Sequence, residues 1–115
     1  RPILYGAYHP MSIVPADGNT QRPEYEVIVG GPLCESGDIF TQEEGGIVAR
    51  RRLPAAAVGD LLVIECAGAY GFVMGSNYNA KPLAAEVLLC DGQAHLVRRR
   101  QTWEDLIRGE TIPAA

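Results

Sequence analysis

Short apolar runs separated by turn residues dominate the chain and predict a mainly β fold. Tyr25–Val29 alternates and then becomes β-branched, which predicts a strand, and Leu61–Cys66 is almost entirely apolar, which predicts a buried strand. Ile3–Val14 and Ile47–Arg50 predict further extended segments, whereas residues 53–60 have the composition of a turn. The pattern therefore favours an antiparallel sheet.

The last third of the chain combines a hairpin pattern with a helical signal. Asp91 and Gly92 separate two apolar runs, which is typical of a two-residue type I′ turn. Thr102 can cap a helix whose first turn is acidic, and Gly109 ends that helix. The whole pattern predicts an antiparallel β-barrel or sandwich with one short C-terminal helix.

Length and charge limit the classes of protein to which the chain can belong. Its 115 residues fit one domain, and its net charge of −4 argues against nucleic acid as a partner. The arginine triplets at 50–52 and 98–100 are short and favour solvated strand ends. No apolar run has the roughly 20 residues that a membrane helix needs, so we expect no membrane association.

The cysteines, the histidines and the first residue of the chain add three expectations. Three cysteines without C-x-x-C spacing indicate reduced thiols in a cytoplasmic protein. His9 and His95 lack the spacing of metal ligands, so we predict no metal site. The chain opens on Arg1 without a methionine, which suggests a piece of a longer protein.

Three features are candidates for chemistry. Cys34 is followed by Glu35 and Asp38, whose charges disfavour the thiolate, so a neutral thiol can serve as a proton donor. Tyr70 has a glycine close to it on each side, which allows a ligand to approach the backbone. Arg1 and Tyr5 lie on the same face of the predicted strand. Taken singly, each is better explained as a structural feature: an inert cysteine, an exposed aromatic, a surface arginine.

Short motifs follow one another along the chain in a characteristic order. They are RPILYGAYH at 1–9, GPLCESGD at 31–38, GAYG at 68–71, SNYN at 76–79 and RRRQT at 98–102. In this combination the chain resembles the C-terminal part of the diaminopimelate decarboxylase family, which belongs to the pyridoxal-phosphate decarboxylases of the alanine-racemase-like fold. Ornithine and arginine decarboxylases share less of the intervening sequence.

The resemblance implies a two-domain enzyme in which residues 1–115 form the C-terminal domain, an antiparallel Greek-key-like β-barrel. The other domain is a (β/α)8 barrel, absent from this chain, which carries the lysine that binds pyridoxal 5′-phosphate covalently. The chain alone is therefore expected to be inactive. The family forms homodimers with shared active sites, in which the loop with Cys34 and Glu35 reaches the partner's cofactor.

The resemblance also implies a role for each candidate residue. Cys34 is the catalytic group, which protonates the substrate α-carbon after CO₂ leaves. Glu35 binds the distal ammonium of the substrate, while Arg1 binds the distal carboxylate and Tyr5 donates a hydrogen bond nearby. Tyr70 contacts both the cofactor and the substrate.

The implied reaction is decarboxylation of meso-2,6-diaminopimelate to L-lysine and CO₂, the last step of lysine biosynthesis. Arg1 favours this substrate, because ornithine has no distal carboxylate for it to bind. Two alternatives stay open. One is a pyridoxal-phosphate decarboxylase for another basic amino acid, of the ornithine, arginine or D-lysine type, and the bulky stretch Gly71–Ser76 is compatible with it. The other is a non-catalytic dimerisation module.

Overall fold

A computed structural model describes residues 5–114, which fall into two compact units, 5–74 and 75–114. Arg1 therefore lies outside the described residues. The strands are β1 (Met11–Val14), β2 (Glu24–Val27), β3 (Arg51–Pro54), β4 (Leu61–Ile64), β5 (Glu86–Cys90) and β6 (Gln93–Arg98). A helix, α1, covers Trp103–Leu106, and short 3₁₀ turns cover Glu44–Gly46, Phe72–Met74 and Tyr78–Ala80.

The strands of the described region form two-stranded antiparallel sheets. In the first unit β1 pairs with β4, and β2 pairs with β3. In the second unit β5 and β6 form a hairpin. The mainly β prediction is confirmed. Within residues 5–114 these pairs form no closed barrel, so the Greek-key-like barrel stays a prediction.

The third strand begins later in the chain than the pattern predicts. The prediction of a strand at Ile47–Arg50, followed by a turn from Leu53, is wrong. The third strand, β3, covers Arg51–Pro54, and Val48 makes only an isolated bridge with Gln42. Leu53 explains the position of β3. It lies opposite Tyr25 of β2 and is 7% exposed, whereas Val48 stays exposed. The strand therefore forms where an apolar side chain can be buried.

The prediction of a buried strand at Leu61–Cys66 is wrong for the described residues. β4 ends at Ile64, and Leu61, Leu62 and Val63 are exposed by 65%, 39% and 38%. Successive side chains of a strand point to opposite faces, so both faces of β4 are open. β4 packs mainly against its partner β1, which supplies backbone hydrogen bonds but no covering layer.

The hairpin of the second unit is confirmed in type. Asp91 and Gly92 both have positive φ, 49° and 73°, as a type I′ turn requires. Its strands are shorter than the apolar runs, because β5 begins only at Glu86. Arg98 forms an ion pair with Glu86 at 2.8 Å, which closes the open end of the hairpin.

The predicted helix start is confirmed at α1. The backbone N–H of Thr102 donates a hydrogen bond to the Asp105 carboxylate at 2.9 Å. The Arg99 guanidinium, followed by this N–H, holds the pKa of Asp105 well below its usual range. Gly109 has φ of 90°, consistent with the end of the helical segment. Among residues 5–114, no helix is long and apolar enough to cross a membrane.

A buried ion pair fixes the turns at the ends of β1 and β4. The Asp60 side chain, 4% exposed, accepts hydrogen bonds from the N–H groups of Ala16 at 2.9 Å and Ala57 at 2.6 Å. It also binds the Arg22 guanidinium at 2.5 Å, and Arg22 extends the network to Asp17 at 2.7 Å. Arg22 first, and then the two N–H groups, hold the pKa of Asp60 well below its usual range.

Replacing Asp60 by asparagine is expected to lower Tm of the full-length protein by about 2 °C or more at pH 7, because Arg22 loses a counter-charge whose side chain is little exposed. The stabilisation from Asp60 is fully present above the ordinary aspartate pKa of about 3.9, and it is lost as the pH falls toward the lowered pKa. The difference in Tm between wild type and Asp60→Asn should therefore shrink on acidification. Thermal unfolding followed across pH measures both effects.

Asp17 supplies the matched control for this experiment, because it binds the same guanidinium but its side chain is 61% exposed. Asp17→Asn should change Tm much less than Asp60→Asn. Equal effects of the two substitutions, or a Tm difference for Asp60→Asn that does not depend on pH, would show that the buried carboxylate does not stabilise the turns as argued.

Candidate functional site

Cys34 lies at the surface of a loop that is anchored on a hydrogen-bonded stem. The stem is formed by the bridge between Gly30 and Ile39 and by the Phe40 N–H, which donates to the Val29 carbonyl at 2.8 Å. Cys34 is exposed. The residue therefore lies at the surface, and the alternative of a cysteine sealed in the core does not describe it.

The base of this stem is held by a threonine that sequence reasoning missed. Thr41 has no exposed surface, and its Oγ1 accepts a hydrogen bond from the Val29 N–H at 3.1 Å. Its carbonyl accepts another from the Ala49 N–H at 2.9 Å. Nothing in the sequence around Thr41 distinguishes it from an ordinary surface threonine, because the signal is burial. The exposed Cys34 loop thus rises from a rigid base.

Glu35, beside the cysteine, takes part in the structure of the loop. Its Oε1 accepts a hydrogen bond from the Gly37 N–H at 2.9 Å and lies 3.4 Å from the Ser36 hydroxyl. The residue is exposed. A carboxylate oxygen can accept two hydrogen bonds, so the contact with Gly37 does not by itself exclude a further contact. The loop therefore presents a thiol and a carboxylate from adjacent positions.

Tyr5 and Tyr70, which are far apart in sequence, are brought together by the fold. Their ring centroids are 5.5 Å apart and the rings are tilted by 44°. This is within the range of favourable aromatic pairs. Both rings remain open to solvent, with Tyr5 59% and Tyr70 49% exposed. The pair presents two aromatic faces and two phenol hydroxyls at one place in the first unit.

The backbone at Tyr70 has a conformation that is unusual for a bulky residue. Its φ is 57°, in the left-handed region, which costs about 1–2 kcal/mol for an L-residue with a Cβ. The next residue, Gly71, donates its N–H to the Ala69 carbonyl at 2.7 Å, and a Cβ on Gly71 would collide with the Ala67 carbonyl. The glycine is therefore needed for the tight turn that directs the tyrosine.

The segment that carries Tyr5 is fixed to β3. The Arg51 guanidinium lies 3.8 Å from the centroid of the Tyr8 ring, which is a cation–π contact. Its Nη1 also donates a hydrogen bond to the His9 carbonyl at 2.5 Å, and His9 is buried. Arg51 thus holds the chain three residues after Tyr5. The triplet 50–52 is therefore more than a solvated strand end, because its central arginine anchors this segment.

Of the predicted site residues, the described part of the chain contains Tyr5, Cys34, Glu35 and Tyr70, while Arg1 lies outside it. Cys34 and Glu35 share one loop, and Tyr5 and Tyr70 form a ring pair. All four are exposed residues of the first unit. Their roles toward a substrate stay predictions.

The described residues fit contact with an aromatic, phosphate-bearing cofactor, and a covalent lysine outside this chain stays a prediction. The two exposed tyrosines offer ring faces and hydroxyl donors that suit a flat ring and an anionic group. The single lysine of the sequence, Lys81, is exposed beside a 3₁₀ turn of the second unit. The chemistry of Tyr5 and Tyr70 thus suits one wall of a cofactor site.

The first unit is β-rich and presents a thiol, a carboxylate and an aromatic pair on its surface. Residues 1–68 match the family described as "Pyridoxal-dependent decarboxylase, C-terminal sheet domain". This match covers more than half of the chain, which therefore belongs to that family.

Three similar proteins are named diaminopimelate decarboxylase. The enzyme of Escherichia coli K12 is 54% identical over 97% of this chain and 27% of its own length. A crystal structure of diaminopimelate decarboxylase has a TM-score of 0.87 and 55% identity, covering 93% of this chain and 26% of its own. The M. jannaschii enzyme in complex with L-lysine has a TM-score of 0.79 and 36% identity, covering 98% and 24%. This chain thus spans about a quarter of the length of its relatives.

Proposed function

We propose that the chain is the C-terminal domain of a two-domain diaminopimelate decarboxylase and completes its active site. The reaction converts meso-2,6-diaminopimelate to L-lysine and CO₂. The observation that carries the proposal is the exposed Cys34–Glu35 loop on a chain 54% identical to the Escherichia coli enzyme. The L-lysine complex of the M. jannaschii relative agrees with the proposed product.

In the proposed reaction the candidate residues of this chain deliver a proton and contact the cofactor and the substrate. Pyridoxal 5′-phosphate, bound covalently by a lysine outside this chain, supplies the electron sink for decarboxylation. The Cys34 thiol delivers a proton to the α-carbon of the substrate, for which its exposure at the tip of a braced loop is suited. Tyr70, directed by its tight turn, contacts the cofactor and the substrate, and Tyr5 supports it through the ring pair.

The charges of the site suit the distal end of diaminopimelate, which carries one ammonium and one carboxylate. Glu35 complements the ammonium, and Arg1 complements the carboxylate in a bidentate pair. Ornithine, arginine and lysine lack a distal carboxylate and would leave Arg1 unused. This pairing is why we propose diaminopimelate in preference to another basic amino acid.

Apolar surface that is exposed in this chain is proposed to be covered by other parts of the full-length protein. Leu88 and Leu89, on opposite faces of β5, are 53% and 76% exposed, so the hairpin lacks cover on both sides. β4 is open in the same way. We propose that the remaining three-quarters of the protein, including a (β/α)8 domain, completes the sheets into a Greek-key-like barrel, and that two copies share their active sites in a homodimer. A cytoplasmic location stays a prediction.

The full-length protein should prefer meso-diaminopimelate over ornithine, arginine and lysine by about 10- to 100-fold in kcat/KM, the value of one charge-assisted contact. Release of CO₂ from each amino acid measures this preference. Arg1→Ala should reduce the preference without loss of bound cofactor. Arg52→Ala is the control, because Arg52 is exposed and pairs only at the surface with Glu24.

The outcomes of this assay separate the competing functions. Faster release from ornithine or arginine would assign the chain to a decarboxylase for another basic amino acid. Absence of release from every substrate, with no cofactor bound by the full-length protein, would leave the dimerisation module as the function of this domain.

A further inference from the structure

A single residue, Asp38, closes the loop that presents Cys34 through three hydrogen bonds. Its N–H donates to the Glu35 carbonyl at 3.0 Å, and its carbonyl accepts the Gly31 N–H at 2.7 Å. Its carboxylate Oδ2 accepts the N–H of Leu33 at 2.8 Å. Leu33 and Glu35 are the two neighbours of Cys34 in the chain. Asp38 therefore holds the backbone on both sides of the cysteine.

Gly31 has no side chain at the place where the Asp38 carboxylate lies. A Cβ built on Gly31 would collide with both carboxylate oxygens. The backbone of Gly31 is outside the left-handed region, so its conformation does not call for glycine. An aspartate side chain is short, and this one is hydrogen-bonded to Leu33, so it cannot move aside without losing that bond. Space for Asp38 is thus the reason for glycine at this position.

We propose that Asp38 is a positioning residue that sets the direction of the Cys34 thiol, and that Gly31 serves this role by leaving room for its carboxylate. The sequence suggested Asp38 only as a negative charge near the cysteine. In the structure its carboxylate is bound to the backbone of the loop, so its main effect on Cys34 is geometric. The importance of that geometry for turnover rests on the proposed function, whereas the coupling of Asp38 and Gly31 does not.

The proposal is tested by the alkylation rate of Cys34 in the full-length protein, both with and without pyridoxal phosphate. Iodoacetamide labelling is followed by mass spectrometry of the peptide that contains Cys34. Asp38→Ala should change the labelling rate several-fold and lower kcat by about tenfold or more with KM little altered, because a displaced proton donor slows the chemical step. Asp38→Asn should restore much of both, since its amide oxygen can still accept the Leu33 N–H.

A double-substitution cycle tests the part of Gly31. Gly31→Ala should reproduce the effects of Asp38→Ala, and the combined variant should be no worse than either single one, because both remove the same contact. Gly30→Ala is the matched control. Among the described residues, a Cβ there would meet only the Asp38 carbonyl, at an ordinary 3.7 Å, so labelling and rate should stay near wild type.

Each remaining outcome bears on one of the two proposals. Multiplying effects of Gly31→Ala and Asp38→Ala, or labelling of Cys34 that neither substitution changes, would overturn the positioning role. Coupled labelling in a protein that does not decarboxylate diaminopimelate would retain the positioning role and reject the proposed function. Equal defects of Asp38→Asn and Asp38→Ala would also count against the hydrogen bond to Leu33.

Discussion

Replacing Cys34 by alanine in the full-length protein is expected to lower kcat by about 10²- to 10⁴-fold, the usual contribution of a general acid. The absorbance of bound pyridoxal phosphate should stay normal, because Cys34 delivers a proton and does not hold the cofactor. The loop that presents Cys34 is held by Asp38 and based on buried Thr41, and neither of these contacts uses the cysteine side chain. Single-turnover and steady-state rates measure the loss.

Two controls limit the interpretation of this result. Cys90→Ala removes another exposed thiol, at the end of the hairpin strand β5, and should leave kcat unchanged. Cys34→Ser keeps a hydroxyl of similar shape, but a serine hydroxyl is a weaker acid than a thiol, so its rate should stay low. A Cys34→Ala variant with a rate near wild type would remove the proton-donor role.

The second large effect is expected from Glu35→Gln, which should lower kcat/KM for meso-diaminopimelate by about 10- to 100-fold, since it removes a charge-assisted contact with the substrate ammonium. The structure makes this substitution informative. Glu35 also accepts the Gly37 N–H, and a glutamine can accept it equally through its amide oxygen. The loop should therefore keep its form while the charge is lost.

Glu35→Ala provides the comparison, because it removes the charge and the loop hydrogen bond together. Its kcat/KM should fall further than that of the glutamine variant, and Cys34 labelling should change only in the alanine variant. Kinetics with meso-diaminopimelate and cofactor content by absorbance distinguish the two losses. A glutamine variant with wild-type kcat/KM, or one that loses cofactor without a change in substrate preference, would contradict the assignment of Glu35.

The sequence predicts local structure well where a residue pair determines its own conformation. Asp91 and Gly92 define the hairpin turn, and Thr102 with its acidic neighbours defines the start of α1, because both signals act within a few residues. The position of β3 could not be predicted in this way. It depends on which of several apolar residues finds a partner across the sheet, and that residue is Leu53.

Burial was harder to predict than strand formation. The apolar run that contains β4 predicts a covered strand, and it forms a strand, but the layer that would cover it is not supplied by its partner β1. Hydrophobicity predicts that a strand is covered but does not say which residues cover it, and the described residues do not supply that layer. The prediction therefore failed on burial and not on strand formation.

The candidate residues were visible in the sequence, but their arrangement was not. Cys34, Glu35 and Tyr70 stand out by their neighbours and by the resemblance of the motifs. The contact between the rings of Tyr5 and Tyr70 depends on a tight turn 65 positions away from Tyr5 in the chain, which no local pattern indicates. The hydrogen bond from the Leu33 N–H to the Asp38 carboxylate is likewise not indicated by the sequence, because that carboxylate could equally have faced the thiol.

The left-handed backbone of Tyr70 restricts how this loop can evolve. Glycine adopts that conformation without strain and asparagine with little, yet neither carries a phenol ring. Substitution of Tyr70 by a residue that adopts this conformation with less strain would thus stabilise the protein, but it would remove the aromatic surface beside Tyr5. Tyr70 is therefore retained, despite its backbone strain, only where its ring is under selection. Lineages in which the ring is no longer needed are expected to replace Tyr70 early.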